Sequence, residues 1–131
     1  MRYLFTLTIV LLGLNLSAQK IKQGMTITAS TEIPRGVYKL DGSADYKQPA
    51  ITIQGNNITV DFNNSMLVGS LTTQQPDSFY GIAIHVKNSH NVLIKNLKTI
   101  HYKISIFADN SSNLKIENCN RLIETKRNFR K

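Results

Sequence analysis

The chain has 131 residues, 41% of them hydrophobic and 18% charged, with one cysteine and a formal charge of +8. The length confines the folded part to one small domain, and a lone cysteine excludes an intramolecular disulfide framework. Half of the positive surplus falls in the last eleven residues, whereas residues 19–120 carry ten basic and seven acidic groups without an interleaved aromatic motif, so the charge does not point to nucleic acid.

Arg2 is followed by an apolar run from Leu4 to Leu16, interrupted by threonines, Gly13 and Asn15, and then by Ser17-Ala18 ahead of Gln19. A positive start, a short apolar middle and a small residue before the break are the layout of a secretory signal peptide. The run is shorter than the ~20 residues that span a bilayer, and no cysteine follows that would take a lipid. The expected product begins at Gln19, is secreted or periplasmic, and has no membrane attachment once residues 1–18 are cleaved.

Residues 19–50 show no established repeat. Ile27 and Ile33 are spaced for short strands, and Ile33-Pro34-Arg35-Gly36-Val37-Tyr38 has the chemistry of a turn, with Pro34 fixing φ and Gly36 tolerating φ > 0. From Ile51 the pattern sharpens. Ile51 and Ile53 alternate with polar residues, Gly55-Asn56-Asn57 breaks the run, and Ile58, Val60 and Phe62 resume it. After Met66-Leu67-Val68, residues 69–80 form a polar excursion that is expected to project as a surface loop.

Residues 81–124 are one 22-residue pattern written twice. Setting GIAIHVKNSHNVLIKNLKTIHY over KISIFADNSSNLKIENCNRLIE matches Ile82 with Ile104, Ile84 with Ile106, Asn88 with Asn110, Ser89 with Ser111, Asn91 with Asn113, Ile94 with Ile116 and Asn96 with Asn118, without a gap. A fixed period of this size signals stacked repeats. Within each copy the apolar residues alternate with a period of two, which is strand periodicity with one face buried. The polar break after each strand is too short for a crossover helix, so it turns a corner, and one copy suffices for three short strands. Successive copies then stack as parallel strands about 4.8 Å apart. Residues 51–62 are an earlier, looser copy with one corner residue fewer. In this register Asn57, Asn91 and Asn113 share a corner where identical amides can hydrogen-bond up the stack, and Asp61, Lys95 and Glu117 share an outward position where opposite charges alternate. Ile106 is expected to be buried against Ile84. Cys119 aligns with Leu97 and reads as a small buried apolar residue.

With NVLIKN over NLKIEN and GIAIHV over KISIFA, residues 51–124 resemble the right-handed parallel β-helix repeat proteins of the pectate-lyase-like superfold. The resemblance implies an all-β solenoid of about three to four coils, with residues 19–50 as an N-terminal capping segment and opening strands. It also implies a secreted protein that cuts, modifies or binds polysaccharide. One fold hosts many functions, so the site must decide among these.

Lyases of that family use calcium-binding acidic residues with an arginine or lysine base, and sugar-cutting hydrolases need two carboxyl groups across a glycosidic bond. This chain has no Asp-Asp pair. Asp61 and Glu117 lie on one row with Lys95 between them, which reads as a charge ladder, and Asp109 sits at a corner. No catalytic residue is assigned. His85, His90 and His101 lack metal-ligand spacing, and neither a metal nor another cofactor is expected. The outward position shared by Thr52, His85 and Phe107 is a candidate stacking surface for a sugar ring, with Tyr80 and Tyr102 as flanking aromatics. Two function classes remain: a non-catalytic module that binds or presents to polysaccharide, and an N-terminal fragment of a polysaccharide lyase or glycoside hydrolase.

A fourth copy starting at Thr125 would place buried isoleucines at 126 and 128, where the chain has Lys126 and Asn128. Residues 125–131 are therefore a basic tail. The stack is expected to be truncated, to lack a cap over the coil of Ile104 to Ile123, and to self-associate there.

Overall fold

The computed structural model describes residues 20–69 and 79–122. The expected signal peptide, residues 70–78 of the polar excursion and the basic tail lie outside the described residues.

Strands are the only regular structure among the described residues. They are β1 (Met25–Ile27), β2 (Thr31–Glu32), β3 (Val37–Lys39), β4 (Ile51–Ile53), β5 (Asn56–Val68), β6 (Ile82–Lys87), β7 (His90–Ile100), β8 (Ile104–Asp109), β9 (Ser112–Glu117) and β10 (Asn120–Leu122). Every pairing between them is parallel. One sheet runs β1-β4-β6-β8. In the other, β5 pairs with β2 along its first half and β3 along its second, β7 pairs with β5, and β9 and β10 pair with the two halves of β7. The chain thus lies down in successive layers, first β1-β2-β3, then β4-β5, then β6-β7, then β8-β9-β10.

Alternation decides which side chains enter the core. Ile27, Ile53 and Val86 of the first sheet and Ile58, Val60, Val92 and Ile94 of the second are at most 2% exposed, each contributing roughly 1.5–3 kcal/mol by burial. Ile33, Ile51, Ile84, Phe62, Leu67, Leu97 and Tyr102 belong to the same core.

The corners are made by asparagine. Apart from Tyr46 and His101, the non-glycine residues with positive φ among those described are all asparagines: Asn57, Asn63, Asn64, Asn88, Asn91, Asn96, Asn110, Asn113 and Asn118. A side chain with a Cβ resists that conformation, and the short amide of asparagine resists it least. Stacked corners then join their amides. Asn113 Nδ2 donates to Asn91 Oδ1 at 3.0 Å and Asn91 Nδ2 to Asn57 Oδ1 at 2.8 Å, as the repeat predicts. Two further rails were not anticipated: Asn110 donates to Asn88, and Asn118 donates to Asn96, which donates to Asp61.

Pairing begins at Met25, well before the first copy legible in the sequence. The interval between stacked partners is 22 residues at Asn91–Asn113, but 34 at Asn57–Asn91 and 29 at Ser30–Thr59. The polar excursion accounts for most of the longer interval, and Asn63-Asn64 add a register shift within β5 between Asp61 and Ser65. Gly36 tolerates positive φ but does not adopt it. Its N–H instead donates to Ser65 Oγ at 3.1 Å, and its carbonyl accepts from Met66. A close approach fixes a different glycine pair, because a Cβ on Gly81 would lie 2.9 Å from Gly42 Cα. That contact holds residues 40–42 against the start of β6.

The two ends differ. Ile27 and Ile33 of the first layer are 1% and 0% exposed, whereas Ile116 and Leu122 of the last are 49% and 37% exposed. Ile106 pairs with Ile84 in the expected register but is only partly buried, because no described layer lies over its other side.

Candidate functional site

The outward face of the β1-β4-β6-β8 sheet carries the row foreseen in the sequence and extends it by one residue. Thr26 pairs with Thr52, Thr52 with His85, and His85 with Phe107. Each is the odd residue between two inward apolar neighbours, such as Ile51 and Ile53 about Thr52, so burial of the core fixes the direction of the row. With strands about 4.8 Å apart, the row spans roughly 14 Å.

The His85 and Phe107 rings have centroids 5.2 Å apart and an interplanar angle of 52°. Phe107 is 42% exposed, a large apolar surface held on a strand rather than on a loop. His85 is half-buried, and its Nε2 is buried without a hydrogen-bond partner among the described residues. Burial pushes the His85 pKa below the ordinary imidazole value, and Lys87 adds to that; Asp109 opposes both. The imidazole is accordingly neutral at neutral pH. Lys87 and Asp109 pair two residues along the same strands, placing one cation and one anion beside the aromatic pair. The face thus offers an apolar platform bordered by threonine hydroxyls and a charged pair.

Tyr80 and Tyr102 part company. Tyr80 is half-buried just ahead of β6, five residues from His85 and beyond the positive-φ Gly81 that precedes the strand. Tyr102 is 1% exposed and belongs to the core. Its hydroxyl donates to the Leu40 carbonyl at 2.6 Å, and burial followed by the nearby Asp41 charge raises its pKa well above the ordinary phenol range. Tyr102 therefore ties the corner after β7 to the N-terminal segment and cannot flank a sugar. Its ring is apolar enough to fill the interior, and one backbone carbonyl satisfies its only polar atom.

The Asp61 carboxylate is occupied structurally. Asp61 accepts from Asn96 Nδ2 and from the Asn63 N–H, both at 2.9 Å, and lies 3.8 Å from Lys95 Nζ. Glu117 pairs in register with Lys95, completing the charge row read from the sequence. Among the described residues no three His, Cys, Asp or Glu side chains are grouped to hold a metal ion. His90 Nδ1 lies 2.7 Å from Ser112 Oγ, and His101 packs edge-on to Phe79 at 5.2 Å.

Two hollows escaped the sequence reading. One, of about 240 Å³, has a mixed lining that includes Gln23, Asp41, Ser43, Gln48 and Pro49, where the sequence has no periodic signal. The other, of the same size, opens at the last layer between Leu97, Ile106, Ile116 and Cys119. Its signal was present, since Leu97/Cys119 and Ile94/Ile116 are aligned inward pairs. Burial raises the Cys119 thiol pKa, hydrogen bonds to the backbone lowering it less, so the thiol is a wall of this hollow and not an activated nucleophile. Comparison with known protein families, with curated proteins and with solved structures found no match.

Proposed function

We propose that the chain is a right-handed parallel β-helix module, exported from the cell, that binds polysaccharide on its Thr52–His85–Phe107 face without cutting it. The observation that carries this reading is the exposed Phe107 ring packed against His85 on a row of paired strands. A pyranose ring presents an apolar face and a rim of hydroxyls. The aromatic pair matches the face, while the threonines, Lys87 and Asp109 match the rim. Because strands position these groups, little ordering is required on binding. Lys95 and the amide rail engage the outward carboxylate Asp61, which favours binding over hydrolysis.

Affinity electrophoresis of the mature chain through gels containing β-glucan, galactan, mannan, pectin or alginate tests this. Retardation by at least one polymer, lost in Phe107→Ala, is the expected result. Migration unaffected by every polymer, or retardation identical in Phe107→Ala, overturns it. Unsaturated product released from pectin or alginate, and abolished by changing Asp61 or Glu117, overturns the non-catalytic part alone.

A further inference from the structure

The last layer, β8 to β10, is paired on one side only among the described residues. Three independent features define what its open side accepts. The first is shape and polarity: the hollow of about 240 Å³ is walled mainly by Leu97, Ile106, Ile116 and Cys119 and so accepts aliphatic side chains.

The second is the direction of the amide rails. Asn110, Asn113 and Asn118 all donate toward the preceding layer, at 2.8, 3.0 and 2.8 Å. Each therefore keeps its carbonyl oxygen for a further donor, and among the described residues no donor reaches it. The third is charge. The rows run Glu32, Asp61, Lys95, Glu117 and Lys87, Asp109. Both end in an acid, so a cation laid over Glu117 and another over Asp109 complement the last layer.

We propose that this end is a docking site for a separate polypeptide segment of the repeat's own pattern, laid down as one more parallel layer. Its asparagine amides donate at the three corners, its aliphatic side chains enter the hollow, and its lysines lie over Asp109 and Glu117. Residues 81–102 carry that pattern: Lys87 and Lys95 fall over the two acids, and Asn88, Asn91 and Asn96 over the three carbonyls. Strand addition of this kind draws affinity from the backbone and specificity from the side chains. A second copy turned end to end sets acceptor against acceptor at each corner and acid row against acid row. One stacked head to tail meets a first layer in which Ile27 and Ile33 are already covered.

The test is fluorescence anisotropy of a labelled synthetic peptide, residues 81–102, titrated with the full chain. Saturable binding of one peptide per chain is expected, weakened about tenfold or more when all three corner asparagines of the peptide are changed to alanine. A peptide of residues 103–124 with Cys119→Ser should bind about tenfold more weakly, because acids then face acids, and the gap should narrow in about 1 M salt. Ile116→Lys in the chain, at a half-exposed position that tolerates polarity, should abolish binding while circular dichroism stays unchanged. Absence of binding, equal binding of the alanine peptide, or indifference to Ile116→Lys overturns the proposal. So does a chain dimer that excludes the peptide and dissolves on Ile116→Lys, which would make a second copy the occupant.

Discussion

Asn91 donates its amide to the Asn57 carbonyl oxygen across 2.8 Å, and both residues hold the same left-handed backbone, with φ of 60° and 57°. One residue type thus performs two tasks at this corner: it tolerates the turn and it joins the layers. Asn91→Gly keeps the turn and removes the rail, costing about 0.5–1.5 kcal/mol per hydrogen bond lost. Asn91→Ala also forces a Cβ into positive φ, adding roughly 1–2 kcal/mol. Thermal melts should rank wild type above Asn91→Gly above Asn91→Ala. A glycine variant as stable as wild type would show that the rail contributes nothing.

Depth in the stack should grade the cost of a buried amide. Ile84 is 0% exposed, Ile106 is partly buried and Phe107 points outward. An unsatisfied amide at a fully buried site costs ~1–3 kcal/mol beyond the lost apolar burial. Ile84→Asn should therefore be the most destabilising, Ile106→Asn intermediate and Phe107→Asn mild. If Ile106→Asn and Phe107→Asn melt together, the register of β8 is wrong by one residue.

Acid should loosen the molecule partly through Asp61. Burial alone would raise its pKa, but the Asn96 amide, the Asn63 N–H and the Lys95 charge together bring it below the ordinary value of 3.8. Folded Asp61 thus stays charged where the unfolded chain has taken up a proton. Its stabilising contribution is complete above about pH 4 and is lost as pH falls through the folded value. Asp61→Asn retains an acceptor for both N–H groups but cannot titrate, so its melting temperature should fall less between pH 5 and pH 3 than that of wild type, on a scale of about a pH unit either side of the carboxylate range. Parallel curves for the two proteins would refute the assignment.

Legibility followed the regularity of the repeat. Where partners stand 22 residues apart, as at Asn88–Asn110, identical residues reveal both the register and the outward row of His85 and Phe107. The first layer was legible only as opening strands near Ile27 and Ile33, without a register, because its strands have two or three residues and its partners stand at a different interval, as at Ser30–Thr59. Tyr102 was misplaced for a related reason. It follows the positive-φ His101 at the last corner of its layer, where alternation no longer tells inward from outward. The rails at Asn88 and Asn96 were written in the paired identities, but an asparagine pair alone does not say whether the side chains meet.

Separating Tyr102 from Phe107 is the sharpest check on the proposed face. Tyr102→Phe deletes a hydroxyl donated to Leu40 at 2.6 Å in the interior. The carbonyl left behind is buried, so a loss of about 1–3 kcal/mol is expected, with no effect on polysaccharide retardation because the ring never reaches the surface. Phe107→Ala should do the opposite. Its ring is 42% exposed and lies outside the core, so stability should change by no more than about 1 kcal/mol, within the range of ordinary surface substitutions or slightly beyond. Retardation, however, should vanish, and His85→Ala should weaken it by removing the ring that holds Phe107 at its tilt. Measuring melts and gel migration on the same three variants makes the two effects separable. Loss of binding in Tyr102→Phe at unchanged stability would move the site to the corner beside Leu40 and away from the Thr52–His85–Phe107 row.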